Sequence, residues 1–131
     1  MLLSGCEYRE TAPTAQAPVS GESFRDSAKA ARIVERQEAG RTSAPGGGTS
    51  MAPLYGDNVY FVIEPIEFDE LQPGMLVAYD SINGQRIVHQ LVSKEGDYWS
   101  VKGINNPHED SDYVTRQNLI GVVYGAFHAE D

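Results

Sequence analysis

Residue types that could carry nucleophilic or acid–base chemistry stand at three places: Ser50, His89 and a group of acids between Glu109 and Asp112. A serine hydroxyl becomes a nucleophile when a base accepts its proton, and an imidazole does this best when a carboxylate orients it. Each residue alone says little, because a lone histidine in a strand is more often bonded to a backbone carbonyl. The set is a candidate catalytic site only if the fold brings its members together.

The acids lie in a long polar loop, residues 101–112, which reads VKGINNPHEDSD. Its acidic and asparagine side chains could ligate calcium, but the EF-hand spacing and its central glycine are absent. We therefore expect no metal site and no cofactor. Taken alone, the loop is most simply interpreted as a solvated turn between two strands.

The chain from Ser50 onward has the pattern of an antiparallel β domain. Short β-branched or aromatic runs are separated by turn signals, of which Asn83-Gly84 is the strongest hairpin signal. Side chains alternate along a strand, so His89 has apolar neighbours on its own face. Five short strands with turn signals between them, and no convincing helix, predict an antiparallel all-β domain of about eighty residues. The predicted strands cover residues 58–64, 74–80, 85–93, 97–103 and 118–127.

The chain before this domain is predicted to contain one short helix between two flexible segments. Ser23 and Asp26 form a capping-box pattern, and apolar residues then recur every three or four positions. The segment before the helix is rich in Thr, Ala, Pro, Ser and Gly, and the segment after it reads RTSAPGGG, so both are predicted to be disordered or flexible. The resulting divisions are a tether, a helix, a Gly-rich linker and a β domain, over residues 1–22, 23–40, 41–48 and 49–128.

The formal net charge of −9 argues against two classes of partner. Nucleic acid is not expected, because phosphate contacts need clustered Lys and Arg. A polybasic membrane patch is not expected for the same reason. Solubility is the simplest interpretation of the acidity.

Cys6, the one cysteine of the sequence, stands in Leu3-Ser4-Gly5-Cys6, which resembles a bacterial lipobox. In a lipobox the cysteine is lipidated, which would make the protein an extracytoplasmic, membrane-anchored lipoprotein of a bacterium. The residues before Cys6 are fewer than a secretory leader needs. Either the start is misassigned or the match is chance, and the alternative location is the cytoplasm.

Five short motifs stand in one order along the chain: Ser50-Met51-Ala52-Pro53-Leu54, Gly56-Asp57, Ile87-Val88-His89, Lys102-Gly103-x-Asn105-Asn106 and Ile120-Gly121. Together they resemble the signal peptidase superfamily of serine endopeptidases, which also includes the self-cleaving LexA-type repressors. The resemblance covers residues 46–127. His89 matches the branch with a histidine base, found in archaeal and endoplasmic-reticulum enzymes, and not the branch with a lysine base.

The resemblance implies a small antiparallel LexA-like β domain and a serine endopeptidase that cleaves an extended peptide segment. Within it, Ser50 would be the nucleophile and His89 the general base. Asp110 would orient the histidine, with Asp112 as the fallback. The implied partner is a peptide or protein substrate, and a membrane surface would be reached through a lipid on Cys6. The sequence gives no prediction of oligomeric state.

The resemblance also implies which residues near the nucleophile form the oxyanion hole and contact the substrate. Gly48 stands where many family members carry a serine hydroxyl of the oxyanion hole. Thr49 and the backbone N–H of Ser50 are therefore expected to provide that hole. Met51 and Pro53 are expected to contact the substrate.

Two alternatives stay open at this point. A non-catalytic peptide-binding or assembly module of the same fold is kept open by four departures from the family pattern, at Gly48, Met75, Gln90 and Ile104. A self-cleaving LexA-type module is the second alternative, because Ala39-Gly40 is a dipeptide of the kind that such proteins cut. It lies close before Ser50, which is a short reach for folding back into the site.

Overall fold

In the part of the chain that the computed structural model describes, seven strands form one antiparallel sheet, curled into a half-barrel. The strands are β1 (Thr42–Pro45), β2 (Val59–Glu64), β3 (Leu76–Asp80), β4 (Arg86–Glu95), β5 (Tyr98–Lys102), β6 (Tyr113–Val114) and β7 (Leu119–His128). Their order in the sheet is β1-β2-β7-β3-β4-β5-β6. The structure describes residues 18–131. The predicted lipidation site at Cys6 lies outside the described residues.

The five predicted strands are confirmed as β2, β3, β4, β5 and β7. The Asn83-Gly84 hairpin is confirmed too, with Gly84 at φ +81° between β3 and β4, in the left-handed region that glycine adopts without strain. The prediction of mostly antiparallel β structure therefore holds.

The prediction of a linker over residues 41–48 is wrong for β1. Thr42 pairs with Ile63 and Pro45 with Tyr60, so backbone hydrogen bonds to β2 hold this segment. Its sequence, TSAP, has no strand pattern of its own, and only the neighbouring strand makes it extended. The proline is tolerated because β1 is at the edge of the sheet.

The helix α1 (Phe24–Arg36) packs against the sheet and confirms the predicted helix. The Ser23 side chain accepts a hydrogen bond from the Asp26 N–H at 3.1 Å, as the capping pattern predicts. The helix buries small residues against β2 in a cluster formed by Ala28, Ala31, Tyr60 and Val62. Within residues 18–131, no helix combines the length and apolar character needed to cross a membrane.

The segment just before α1 is not a free tether in the residues that the structure describes. The Ser20 N–H donates to the Ala129 carbonyl at 3.1 Å, and the Glu130 N–H donates to the Glu22 carbonyl at 2.7 Å. These backbone bonds tie residues 18–22 to the end of β7. The predicted disorder is therefore wrong for this short stretch, because pairing with a distant segment supplies order that its composition does not.

The start of β4 lies between two apolar clusters of the core. Ile87 packs on the cluster that contains Tyr79 and Leu91, whereas Val88 packs on the cluster that contains Phe61. Neighbouring residues of a strand point to opposite faces, so the two contacts follow from the alternation of β4. Both clusters fix the backbone that leads directly into His89.

Candidate active site

The fold brings Ser50, His89 and Asp110 into one hydrogen-bonded chain. The distance from Ser50 Oγ to His89 Nε2 is 3.0 Å. The distance from His89 Nδ1 to Asp110 Oδ2 is 2.5 Å. With the proton on Nδ1, the imidazole donates to Asp110 and leaves Nε2 to accept the serine proton. The carboxylate that binds the histidine is thus Asp110, not the fallback Asp112.

Ser50 is held by the same loop that supplies the acid. The backbone N–H of Asn105 donates to the Ser50 carbonyl at 2.7 Å, and the Asn105 side chain donates to the Thr49 carbonyl at 3.1 Å. Gly103 lies so close that a Cβ there would be 2.7 Å from the Ser50 carbonyl oxygen and 2.9 Å from its Cβ. Only a glycine fits at that position without displacing the serine. Thr49, which precedes the nucleophile, is exposed, and its carbonyl accepts the hydrogen bond from the Asn105 side chain.

The glycines before Ser50 also have structural reasons. Gly48 has φ +78°, in the left-handed region, and its N–H donates to Asp57 Oδ1 at 2.8 Å. A Cβ on Gly46 would lie 2.6 Å from the Val59 side chain. Residues 46–48 therefore form an ordered turn that packs against β2, and the prediction of a flexible linker is wrong for them.

His89 and Asp110 are positioned by strands and are mostly shielded from solvent. His89 of β4 is paired with Val77 of β3, and the His89 side chain is 10 % exposed. The Asp110 N–H donates to the Val101 carbonyl of β5 at 2.7 Å, and the carboxylate is 15 % exposed. A partly buried site of this kind strengthens the interaction between the carboxylate and an imidazolium.

Sequence reasoning missed a fourth member of this network, Tyr79. Its O–H donates to Asp110 Oδ2 at 2.7 Å, so the oxygen that binds His89 has two donors. Tyr79 is fully buried. Burial, and then the hydrogen bond to Asp110, raise the pKa of Tyr79 above its ordinary value, so the phenol remains a donor. Nothing in the strand pattern of β3 pointed to this contact.

A cavity of about 330 Å³ opens beside Ser50 and His89. Its lining is mostly apolar, with side chains such as Phe61 and Ile63 among them. Met51, one of the two residues expected to contact substrate, is buried and lines this cavity. Pro53, the other, is exposed and lies outside the lining.

Comparison of the sequence with family models and with curated proteins finds no match. Among residues 18–131, no group of three or more His, Cys, Asp or Glu side chains is arranged to hold a metal ion. The functional interpretation rests on the geometry of the site itself.

Two strand segments line the cavity that opens beside the nucleophile. One is the end of β1 with the glycines after it, residues 44–47, and the other is the start of β4, residues 86–89. β1 is an edge strand. The pairing of β4 with β5 begins at Gln90, so in the described sheet residues 86–89 pair with β3 alone. Strand edges of this kind can accept an extended peptide by backbone hydrogen bonds.

Proposed function

We propose that this chain is a serine endopeptidase that resembles signal peptidases and cleaves an extended peptide segment. The observation that carries the proposal is the continuous hydrogen-bond chain from Ser50 through His89 to Asp110. In this proposal, His89 Nε2 takes the proton from Ser50 Oγ as the oxygen attacks the peptide carbonyl. The same nitrogen then gives the proton to the leaving amine, and water releases the acyl group by the reverse sequence.

Asp110 supports the step in which His89 becomes positively charged. Its carboxylate binds the Nδ1 proton and stabilises the imidazolium, so the wrong tautomer of the histidine is disfavoured. The oxyanion of the intermediate is assigned to the Ser50 N–H with help from Thr49. Each such donor is typically worth a factor of about 100 or more in rate.

The cavity supports a peptide as the substrate. A peptide lying between residues 44–47 and residues 86–89 would present its scissile carbonyl near Ser50 while its side chains enter an apolar space. The resemblance adds that small side chains precede the scissile bond. A cavity of about 330 Å³ is large enough for small apolar groups.

The two alternatives have less support. A purely peptide-binding module would not need the Ser50 hydroxyl 3.0 Å from a histidine that is itself bound to a carboxylate. For self-cleavage, Ala39-Gly40 precedes β1, and the paired strand separates this dipeptide from the nucleophile. Cutting there would require β1 to leave the sheet.

Membrane attachment through a lipid on Cys6 is part of the same proposal. A single acyl chain binds a bilayer only weakly, so a second contact would be needed for stable anchoring. Intact-mass measurement of the protein isolated from its host tests this directly. An unmodified Met1 would exclude the lipid.

Activity is tested with the full chain and a library of peptides derived from secretory leaders. We expect cleavage by the parent protein and its loss, on the order of 10³-fold or more, in Ser50→Ala and His89→Ala. Asp110→Asn should lose activity on a similar scale, and the matched variant Asp112→Asn should keep it. Binding of peptides without any cleavage by the parent would support the non-catalytic alternative. A new N-terminus at Gly40, absent in Ser50→Ala, would support self-cleavage.

A further inference from the structure

The cavity wall carries one side chain with a permanent charge. Of the described residues that line the cavity, Arg86 is the only Lys, Arg, Asp or Glu. Arg86 begins β4, and residues 86–89 of that strand pair with β3 but not with β5. An extended peptide that lies in this cavity along residues 86–89 would have the guanidinium beside it.

Arg86 is free to exchange its present partner. Its Nε lies 3.3 Å from Asp80 Oδ1 across the β3–β4 pair, and the two side chains are 46 % and 45 % exposed. Exposed ion pairs of this length contribute little, because solvent screens them and both side chains lose freedom. A substrate carboxylate can replace Asp80 at the guanidinium or share the guanidinium with it, because arginine binds carboxylates in a bidentate geometry.

On the basis of the proposed peptidase function, we propose that Arg86 selects substrates with an acidic side chain at one defined position. The rest of the molecule opposes this selection, since a chain with a net charge of −9 attracts basic peptides and repels acidic ones. A preference for an acidic residue must therefore come from a local cation in contact with the peptide. Arg86 is in place to provide it.

The position of Arg86 relative to His89, which binds the nucleophile, defines which substrate residue is selected. Arg86 precedes His89 by three positions on one strand, and a strand rises about 3.3 Å per residue, so the two residues are roughly 10 Å apart along the edge. The odd spacing directs their side chains to opposite faces of β4, although both residues line the cavity. A peptide added to that edge has the same rise. The acidic side chain is therefore expected three or four residues from the scissile bond. The direction in which the peptide runs along β4 decides whether that residue precedes or follows the bond.

The test uses a peptide that the parent protein cleaves, with Glu, Gln or Lys placed at one position at a time. At the selected position, the ratio of kcat/KM for Glu over Lys should be about tenfold in the parent and should fall with added salt. Arg86→Gln should bring the ratio to one or below, and Arg86→Glu should reverse it. Asp80→Asn, which frees the guanidinium, should increase it. Equal rates for Glu and Lys in the parent, or a ratio that survives in Arg86→Gln, would overturn the proposal.

A binding measurement separates failure of this inference from failure of the peptidase proposal. Fluorescence anisotropy of alanine-rich peptides that carry one Glu or one Lys is measured with Ser50→Ala, with and without Arg86→Gln. If the parent cleaves no peptide, the peptidase proposal fails, but tighter binding of the Glu peptide that depends on Arg86 still supports the selection. If cleavage occurs and binding shows no Glu preference, the selection is wrong and the peptidase proposal stands.

Discussion

Replacing Tyr79 by Phe removes one oxygen from the centre of the site and leaves the rest of a fully buried side chain in place. That oxygen donates to Asp110 Oδ2 at 2.7 Å, the same atom that binds His89 Nδ1. Tyr79 does not line the cavity, so it has no reason to contact a substrate. The substitution therefore tests whether a residue that acts only through Asp110 affects catalysis.

The size of the effect follows from the bond that is lost. A hydrogen bond to a charged acceptor is worth about 1.5–3 kcal/mol, and each 1.36 kcal/mol of transition-state stabilisation is tenfold in rate. Asp110 keeps its bond to His89, so part of the loss appears in folding and not in catalysis. We expect kcat to fall about 10- to 100-fold with little change in KM.

The assay combines steady-state kinetics with urea unfolding between pH 7 and pH 11. The raised pKa of Tyr79 means that the folded state keeps its proton where an unfolded tyrosine, with a pKa near 10, loses it. The resulting stabilisation is fully present below about pH 10 and is lost as the pH rises further. Tyr79→Phe lacks this contribution, so the stability difference between parent and variant should be constant near neutrality and should shrink above about pH 10. Tyr55, whose pKa burial also raises, is present in both proteins and cancels.

The matched control is Tyr113→Phe, which removes a hydroxyl from a side chain that is 48 % exposed. It should change neither kcat nor the alkaline dependence. A Tyr79→Phe protein with parental kcat and reduced stability would refute a positioning role and leave Tyr79 as a packing residue. An increase in KM with unchanged kcat would contradict the reasoning as well, because it would place the phenol in substrate binding.

Two further substitutions test how the nucleophile is held. Gly103→Ala would place a methyl group 2.7 Å from the Ser50 carbonyl oxygen, so we expect about 100-fold lower kcat and a stability loss of about 1–3 kcal/mol, measured by kinetics and urea unfolding. An Ala variant with parental kcat would show that the close packing of Gly103 against Ser50 is not needed for catalysis. Asp57→Ala removes the acceptor of the Gly48 N–H and should lower kcat about tenfold, whereas Asp57→Asn, which keeps an acceptor oxygen, should retain most of it. Equal loss in both variants would point to the charge of Asp57 and not to its hydrogen bond.

Much of the fold could be predicted because each main strand carries its own local signal. The runs that became β2 and β7 are β-branched or aromatic, and Asn83-Gly84 marks the turn between β3 and β4. β1 and β6 could not be predicted in this way. Each is a short strand at one edge of the sheet, and its extended form depends on a neighbour that is distant in sequence.

The grouping of Ser50, His89 and Asp110 was expected from the order of short motifs, and the structure places the three side chains in contact. The contacts that support them could not be predicted from motif order. Tyr79 reaches Asp110 from another strand, and Asn105 holds the backbone at Ser50 through its own N–H. Such contacts depend on the closeness of segments in three dimensions, and residue type alone does not encode it.

The backbone explains why a glycine stands at position 48, where the resemblance to signal peptidases implies a serine. With φ at +78°, position 48 would strain any residue with a Cβ by roughly 1–2 kcal/mol. Open space surrounds the missing Cβ, so the restriction comes from the dihedral angle and not from packing. The bond from the Gly48 N–H to Asp57 helps to fix that angle. A serine hydroxyl at this position would therefore require a different turn before Ser50, and the oxyanion donors of the proposed reaction are expected among the backbone N–H of Ser50 and Thr49.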